Sequence, residues 1–462
     1  MEANIGHYYT AIDFFLKRRD YPDAFKAMEL CRSRTLADVM AGGQKTKLDD
    51  KAEKSLSLYR NRMAQLDVLY GSYYARAKRA PGTSPDSMEA LDARIRALEN
   101  EAEDIRASMG PDASTALDLL SSEPATLDRI QGIARKDSLE ILEYLVRDDR
   151  VILWYIAGDS VHVRNIILPR YEISKKSNLL LRSLAPHSPG SKTPPASGPC
   201  LDEQTATELF LFLIQPVLPW IRGKRLVVIP HDILWDVPFQ ILLDPATRAY
   251  VGESFRISYM PNASLLTNRR KLPNLKGKAL LAVANPAIST SMKEIETISL
   301  NYGKQSVLLR SATKSALRDR LPGYNILHIA SHGGFFSANA VQAFLLLGQE
   351  GASDTLRALD AASMPLGGYA LVSLSACETG KVGSTRANEN LGFERAFLAA
   401  GANNLILSSW NVESDASRLW MDSFHRNAQR ETLAEAARLA LVDTKKAFPN
   451  PSAWAPYFLV GK

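Results

Sequence analysis

The chain has 462 residues, of which 46% are hydrophobic and 23% charged, which is close to average globular usage. This length predicts two to three domains with their own cores, and the composition excludes wholesale disorder. The formal net charge of +6 comes from 56 basic and 50 acidic side chains spread along the chain. Because no run of five or six Lys or Arg residues occurs, we expect contact with nucleic acid only indirectly, if at all.

The sequence lacks the patterns of a secreted or membrane protein. The first 20 residues contain no basic leader followed by an apolar segment and a small-residue cleavage site. The longest apolar runs, such as 151–157, are too short to span a bilayer. We therefore expect a soluble, cytoplasmic protein without a membrane partner. Its three cysteines, Cys31, Cys200 and Cys377, are too few for a disulfide framework and are expected to be free thiols.

The first 112 residues carry helical patterns. Residues 1–45 predict two helices that break at 20–22, a hairpin that resembles a single tetratricopeptide repeat. Residues 46–112 predict an antiparallel coiled-coil hairpin, because two apolar stripes at alternating spacings of three and four flank a Pro/Gly-rich turn at 80–85. This all-α region is either a structural spacer or the surface that binds a regulatory protein partner.

From residue 124 onward, short apolar strands alternate with helices. Strands are predicted at 151–157, 161–168, 225–229, 279–284, 325–330, 370–374 and 404–407, and helices at 203–215, 291–302, 312–321, 390–400, 414–427 and 431–447. Val, Ile and Leu dominate the strands, which indicates an α/β domain with a mostly parallel sheet covered by helices. The Pro-, Ser- and Gly-rich segment 183–200 predicts a flexible loop.

Two of these strands end in reactive side chains. His332 follows the strand at 325–330, and Cys377 follows the strand at 370–374. Sites in α/β sheets lie at the carboxyl ends of strands. Cys377 stands 45 residues after His332 in the order His, then Ala-Cys-x-x-Gly, and the caspase signature has a His roughly 50 residues before a similar motif. The pattern therefore predicts a Cys–His pair.

The chemistry of acyl transfer explains these residue types. A free thiol titrates near 8.5, so a neighbouring imidazole must accept its proton during attack. The predicted roles are nucleophile for Cys377 and general base for His332. The backbone amides of Gly333 and Cys377 are the candidate oxyanion hole, because a glycine lets the backbone approach the substrate carbonyl.

His328 and His332 also form an H-x-x-x-H pair, which raises the question of a metal. No third ligand stands at a matching position, so we expect no metal and no cofactor. His328 lies on the same face of its strand four residues earlier and is a candidate for support beneath the site. A Rossmann-like nucleotide enzyme is a further alternative, but no G-x-G-x-x-G or Walker loop follows any strand.

Further segments carry a specific resemblance. They read IPHDILWDVPF at 229–239, YMPNAS at 259–264, LGFERAFLAAGA at 391–402, SSWNV at 408–412 and WAPYFLVG at 454–461. With the two reactive strand ends, and in this order, residues 124–462 resemble the CHAT domain family. That family is a caspase-like peptidase module, in the same broad clan as caspases and separases, often found behind tetratricopeptide repeats.

The resemblance implies a fold and a function. It implies that 124–320 is a degenerate, pseudo-caspase-like first half and that 321–462 is the catalytic half. His332 and Cys377 fall on the family's catalytic dyad. The expected protein is a cysteine endopeptidase that cleaves a specific protein partner and is regulated through its N-terminal helices. The alternative is a catalytically silent scaffold of the same fold that binds a protein partner.

The sequence departs from the family at one motif. The family usually has W-x-V-x-D. In this sequence the motif begins at Trp410, its fifth position is Ser414, and an acid follows one residue later as Asp415. This departure leaves the substrate pocket undetermined. Trp410, Asp415, Glu378 and Glu389 are candidates for lining or supporting that pocket.

Overall fold

A computed structural model describes most of the α/β region and the N-terminal hairpin. The described residues are 2–33, 58, 62, 65, 69, 90, 91, 93–98, 100, 101, 104, 125–184, 201–268, 272, 274–334, 343–348, 355–376, 392–410, 412 and 414–462. Cys200, Cys377, Glu378 and Glu389 lie outside these ranges, as do most of the predicted coiled coil and of the loop at 183–200.

The N-terminal hairpin consists of α1 (Glu2–Lys17) and α2 (Tyr21–Ser33). Arg19, between the two helices, has a positive φ of 60°, which lets the chain reverse. The aromatic rings of Tyr21 and Phe25 pack edge-on against Trp154, with ring centroids 5.9 and 5.7 Å away. The hairpin is therefore part of the core of the α/β region.

Described residues of the coiled-coil segment agree with the predicted hairpin. Leu91 and Ile95 are buried while the helical residues 93 and 94 between them are exposed, so one stripe faces a partner helix. Arg62, in the first predicted helix, forms an ion pair of 2.9 Å with Glu101 in the second. The two helices thus lie side by side at this level.

The α/β region contains eleven further helices and fourteen strands among the described residues. The helices are α3 (Leu127–Asp137), α4 (Arg170–Leu184), α5 (Glu203–Leu213), α6 (Val251–Ser254), α7 (Ser289–Ser299), α8 (Lys314–Arg320), α9 (Ala358–Ala362), α10 (Phe393–Ala399), α11 (Ser414–Asn427), α12 (Leu433–Ala447) and α13 (Pro451–Trp454). The strands are β1 (Glu140–Val146), β2 (Val151–Ile156), β3 (Val161–Ile166), β4 (Arg225–Ile229), β5 (Arg256–Tyr259), β6 (Leu280–Ala284), β7 (Ser306–Leu309), β8 (Ile326–Ala330), β9 (His332–Gly334), β10 (Phe344–Leu346), β11 (Thr355–Arg357), β12 (Leu371–Ser375), β13 (Leu405–Ser408) and β14 (Tyr457–Val460). The strands and helices predicted between residues 151 and 447 are all present, with ends in the described residues within three positions of those predicted.

Eleven of the strands form one continuous sheet. Its order is β3-β2-β1-β4-β5-β14-β13-β12-β8-β6-β7. Seven neighbouring pairs are parallel and three are antiparallel, so the mostly parallel sheet is confirmed. The last strand, β14, lies in the middle of the sheet, where it pairs with β5 on one side and β13 on the other. Strands β6 and β7 belong to the predicted first half, 124–320, and β6 pairs with β8 of the predicted second half. One sheet therefore contains strands from both predicted halves.

A second, three-stranded antiparallel sheet fills the connection between β8 and β12. Its order is β11-β10-β9. His332 begins β9 and faces Leu346 of β10 in the register. The crossover between the two reactive strand ends therefore includes its own small sheet, which leaves room for β8 and β12 to be parallel neighbours.

Strands β1, β5, β7 and β14 of the large sheet were not predicted from the sequence, and neither were the three strands of the small sheet. β1 is fully buried although it contains Glu140 and Glu143, and these acids interrupt the apolar pattern on which a prediction relies. Glu143 is tolerated because Arg32 of α2 forms an ion pair with it at 3.5 Å, with both side chains inaccessible to solvent. Only the packed structure provides that partner.

Arg32 holds the N-terminal hairpin against the sheet. Its guanidinium donates to the carbonyl oxygens of Tyr144, Pro230 (3.3 Å) and Pro261 (3.5 Å). Burial raises the pKa of Glu143, Glu29 adds to the rise, and Arg32 opposes it. One side chain thus satisfies acceptors from three separate segments that have no water available to them.

We expect replacement of Arg32 by Met to reduce the free energy of unfolding by about 3–5 kcal/mol, because it leaves buried Glu143 without its cation and three carbonyls without their donor. Urea unfolding followed by circular dichroism measures this loss. Arg129→Met, at an exposed position on α3, is the control and should change stability by less than about 0.5 kcal/mol. Equal stabilities of the two variants would show that the buried ion pair contributes nothing.

Candidate active site

The candidate site is built on two neighbouring strand ends. β8 and β12 are parallel, with Ala330 opposite Ser375 in the register. The amide of Ser331 donates to the carbonyl of Ser375 at 3.1 Å, so the pairing continues to the edge of the sheet. His332 stands two residues after Ala330, and Cys377 stands two residues after Ser375. Cys377 itself lies outside the described residues, and its predicted role stays a prediction.

His332 and Gly333 lie at the start of β9, directly after the end of β8. Both are half-buried, and Gly333 faces Leu345 in the register. The small sheet thus fixes the backbone on which the predicted general base and one predicted oxyanion donor stand. The second predicted donor, the amide of Cys377, is not described, so the oxyanion hole also stays a prediction.

A solvent-open cavity of about 110 Å³ adjoins these strand ends. It is lined by the residues that follow β6, β8 and β12, by α7 and α11, and by β14. These lining residues are Ile288, Thr290, Ser291, Glu294, Ala330, Ser331, His332, Ser375, Ala376, Val412, Ser417 and Tyr457. The cavity therefore contacts both His332 and Ala376, which is bonded to Cys377 in the chain.

Glu294 is a site residue that the sequence reading missed. It lies on α7 and is 4% exposed, and Ser291, Ile295 and Ile298 share its buried face. The sequence contains an indication of its burial: the spacing of the apolar residues of α7 places position 294 on the face that packs against the sheet. An acidic residue on such a face needs hydrogen-bond donors.

His328 supplies one of these donors. It is completely buried in β8, with Nε2 at 2.9 Å from Oε1 of Glu294 and Nδ1 at 2.8 Å from Oγ of Ser373. His328 was a candidate for support beneath the site. In the structure it lies under the cavity and connects α7 to β12.

The hydrogen bonds continue away from the cavity. Oγ of Ser373 lies 3.3 Å from Nε2 of His425, and Nδ1 of His425 lies 2.7 Å from the hydroxyl of Tyr302. Burial is the main cause that holds the pKa of His425 well below its usual value, and nearby His328 lowers it further. Burial also raises the pKa of Tyr302, so its phenol keeps the proton.

These contacts form one buried chain. It runs from Tyr302 through His425, Ser373 and His328 to Glu294, and each imidazole contacts a neighbour through both of its ring nitrogens. His328 and Glu294 also lie within ion-pair distance of each other, with both side chains buried.

Hydroxyl groups complete the cavity floor around Glu294. Ser417 of α11 donates to Oε2 of Glu294 at 3.2 Å, and its Oγ lies 2.7 Å from the hydroxyl of Tyr457. Oγ of Ser375 lies 2.9 Å from Oγ of Ser417. The sequence analysis did not identify Ser417 and Tyr457, because no motif around either residue marks it as part of a site.

The remaining predicted site residues lie elsewhere or are not described. Asp415 is 65% exposed at the start of α11, where it pairs with Arg418 at 3.3 Å. Trp410 is buried, and its ring nitrogen donates to the carbonyl of Ser452 at 2.9 Å. Neither residue is among those that line the cavity. Glu378 and Glu389 lie outside the described residues.

Two further properties concern metals and membranes. Within the part of the chain that the structure describes, no three His, Cys, Asp or Glu side chains are grouped as a metal site would require. Both ring nitrogens of His328 are engaged by Glu294 and Ser373, so it is not positioned as a ligand. No helix among the described residues is long and apolar enough to cross a membrane.

A mostly parallel sheet covered by helices, with a histidine at one strand end and the sequence Ala-Cys after its neighbour, defines a caspase-like protein. The family model for the CHAT domain matches residues 203–462. Because the match covers more than half of the chain, the protein belongs to the CHAT domain family. Residues 124–202, which also showed the resemblance, lie outside this match.

Relatives and solved structures agree with this assignment. The chain is 23% identical over 365 residues to tetratricopeptide repeat protein 28 of Mus musculus and 22% identical over 349 residues to its Homo sapiens counterpart, covering 65% and 62% of this chain. It spans only 15% and 14% of those two proteins. The Saccharomyces cerevisiae separase–securin complex matches with a TM-score of 0.51 at 9% identity, over 96% of this chain and 40% of that one. This likeness concerns the fold.

The burial of His425 predicts how the free energy of unfolding depends on pH. Its pKa is lower in the folded protein than in the unfolded one, so the unfolded state binds more protons below about pH 6.5 and stability falls as the pH falls. His425→Gln keeps a donor toward Ser373 but cannot titrate. When the pH falls from 7 to 5.5, we expect the free energy of unfolding of the wild type to decrease by about 1 kcal/mol more than that of this variant. Urea unfolding at both pH values measures the difference, and parallel losses would contradict it.

Proposed function

We propose that this protein is a cysteine endopeptidase of the caspase and separase type that cleaves a specific protein partner. Cys377 is the nucleophile and His332 the general base. The observation that carries the proposal is the register of β8 and β12, which pairs Ala330 with Ser375 at the edge of the sheet. The two reactive residues follow this pair at equal distances along the chain. The cavity beside His332 offers room for a substrate side chain.

The proposed reaction uses these residues in order. His332 accepts the proton of the Cys377 thiol, and the sulfur attacks the carbonyl carbon of the scissile peptide. The amides of Gly333 and Cys377 donate to the oxyanion that forms. The protonated imidazole then gives its proton to the leaving amine, and water hydrolyses the acyl-enzyme with His332 again as base.

We further propose that the N-terminal helices regulate the peptidase by binding a protein partner. Two features support this. Buried Arg32 connects the hairpin to β1 and to the segments after β4 and β5. A partner that moves the helices would therefore also move these parts of the domain. Phe14 and Leu58, in the helical region, expose 52% and 49% of their surface to solvent and are apolar side chains that a partner would contact.

The same exposed side chains favour the second candidate, a catalytically silent scaffold. In that case the helical region and the cavity would bind a partner without cleaving it. Fold alone does not separate the two functions. The discriminating property is the reactivity of the thiol, because only an enzyme needs His332 to activate Cys377.

A pooled library of fluorogenic peptides tests the cleavage activity. We expect the wild-type protein to cleave a subset of the library, and Cys377→Ala and His332→Ala each to lower the rate by at least about 10³-fold. Cys200→Ser is the matched thiol control and should retain full activity. Cleavage that persists in Cys377→Ala would exclude this residue as nucleophile.

A thiol-reactive probe separates the enzyme from the scaffold when no peptide in the library is a substrate. We expect rapid labelling of Cys377 at pH 7 in the wild type and labelling at the rate of an ordinary thiol in His332→Ala. Peptide mapping identifies the labelled cysteine. Equal labelling rates in both proteins would favour the scaffold.

A further inference from the structure

We infer that Asn285 is a positioning residue for His332, and that it fixes the backbone from which the imidazole reaches the cavity. Since it concerns the geometry of the general base, this role rests on the proposed function. Asn285 follows β6 directly and is 3% exposed. It is not among the described residues that line the cavity, so it acts through its neighbours and not on a substrate.

Asn285 joins the end of β8 to the small sheet. Its backbone amide donates to the carbonyl of Ala330 at 2.9 Å, and its side-chain Nδ2 donates to the carbonyl of Leu346 at 2.7 Å. Ala330 is the last residue of β8, and Leu346 of β10 lies opposite His332 in the register. Asn285 therefore holds both the strand that leads to His332 and the strand that pairs with it.

Ser331 makes a second contact with the same carbonyl. It stands between β8 and His332 and is 6% exposed. Its hydroxyl donates to the carbonyl of Leu346, and its Oγ lies 3.2 Å from the carbonyl oxygen of His332. A carbonyl oxygen has two lone pairs, so Leu346 can accept from both donors at once. Two buried side chains thus fix the point at which β9 leaves the large sheet.

The same asparagine orders one wall of the cavity. Its Oδ1 accepts from the amide of Ala287 at 2.9 Å. Its carbonyl accepts from the amide of Ile288 at 3.0 Å and from the hydroxyl of Ser291 at 2.7 Å. Ile288 and Ser291 line the cavity together with His332. One buried residue therefore sets both the backbone that carries the imidazole and a wall of the cavity beside it.

The side-chain contacts of Asn285 require an amide. The buried carbonyl of Leu346 needs a donor, and the amide of Ala287 needs an acceptor, which Nδ2 and Oδ1 provide. An Asp side chain has the same shape but places an oxygen against the Leu346 carbonyl, so the contact becomes repulsive. A displacement of a catalytic group by about 1 Å is enough to lower a rate about 10²-fold.

Asn285→Asp tests the role through the reactivity of Cys377. We expect this variant to react with a thiol probe at pH 7 about 10²-fold more slowly than the wild type, because the displaced imidazole no longer accepts the thiol proton. The pH profile of labelling should move towards that of an ordinary thiol at about 8.5. In a His332→Ala background, Asn285→Asp should have no further effect on the rate, since it acts through the imidazole.

Asn404 supplies the matched control. It is fully buried, its Nδ2 donates to the carbonyl of Ala370 at 3.0 Å, and its Oδ1 accepts from the amide of Lys462 at 3.0 Å. Asn404 precedes β13 and Ala370 precedes β12, so this asparagine lies at the edge of the parallel strands opposite to the site. Asn404→Asp makes the same chemical change and should leave the labelling rate and the pH profile of Cys377 unchanged. Thermal unfolding verifies that both variants fold.

Ser331→Ala provides a second test of the same contact. It removes the other donor to the Leu346 carbonyl without adding a charge, so it perturbs folding less than Asn285→Asp. We expect it to slow the labelling of Cys377 by about tenfold. Where Asn285→Asp does not fold, Ser331→Ala takes its place in every comparison.

The ring signal of His332 separates the positioning role from the proposed function. Histidine-selective NMR of the ring Cε1–Hε1 groups gives the position and the titration of each imidazole, and His332→Ala identifies the signal. A folded Asn285→Asp protein with the wild-type His332 signal and rapid labelling would overturn the positioning role and keep the peptidase. A signal that moves in Asn285→Asp but not in Asn404→Asp, in a protein that labels no faster than His332→Ala, would keep the positioning role and overturn the peptidase. An unmoved signal with such slow labelling would overturn both.

Discussion

The parallel pairing of β8 with β12 is the constraint on which the candidate site depends. Ala330 lies opposite Ser375, and the hydrogen bond from Ser331 to the carbonyl of Ser375 extends this pairing to the last residue of the strand. In a parallel sheet, the carboxyl ends of neighbouring strands meet at one edge. A slip of the register by one residue would turn each side chain to the opposite face and separate the two reactive positions.

Beneath this edge, a buried chain of hydrogen bonds joins two helices, two strands and one connecting segment of the domain. It passes from Tyr302 through His425, Ser373 and His328 to Glu294, and so connects the segment after α7, α11, β12, β8 and α7 itself. Fully satisfied polar networks in a low-dielectric interior specify one arrangement, because any alternative leaves groups unpaired. The network therefore holds the carboxylate of the cavity in one position.

The N-terminal helices are joined to the same sheet at a distance from the cavity. Arg32 connects α2 with Glu143 of β1 and with the backbone at Pro230 and Pro261, which follow β4 and β5. Strand β14 then links β5 with β13, so that helices, first strands and cavity belong to one continuous structure. Tyr457 at the start of β14 reaches the cavity itself.

The sequence by itself determined the fold class, the main strands and helices and the strand ends that carry His332 and Cys377, because apolar periodicity and chain order are local properties. It did not reveal β1 and β14, nor Glu294, Ser417 and Tyr457 as neighbours in one cavity. Glu294 and Ser417 are 123 residues apart in the chain and meet at 3.2 Å. Side-chain hydrogen bonds over such separations leave no periodic pattern in a sequence, so only the tertiary structure decided which polar residues surround the site.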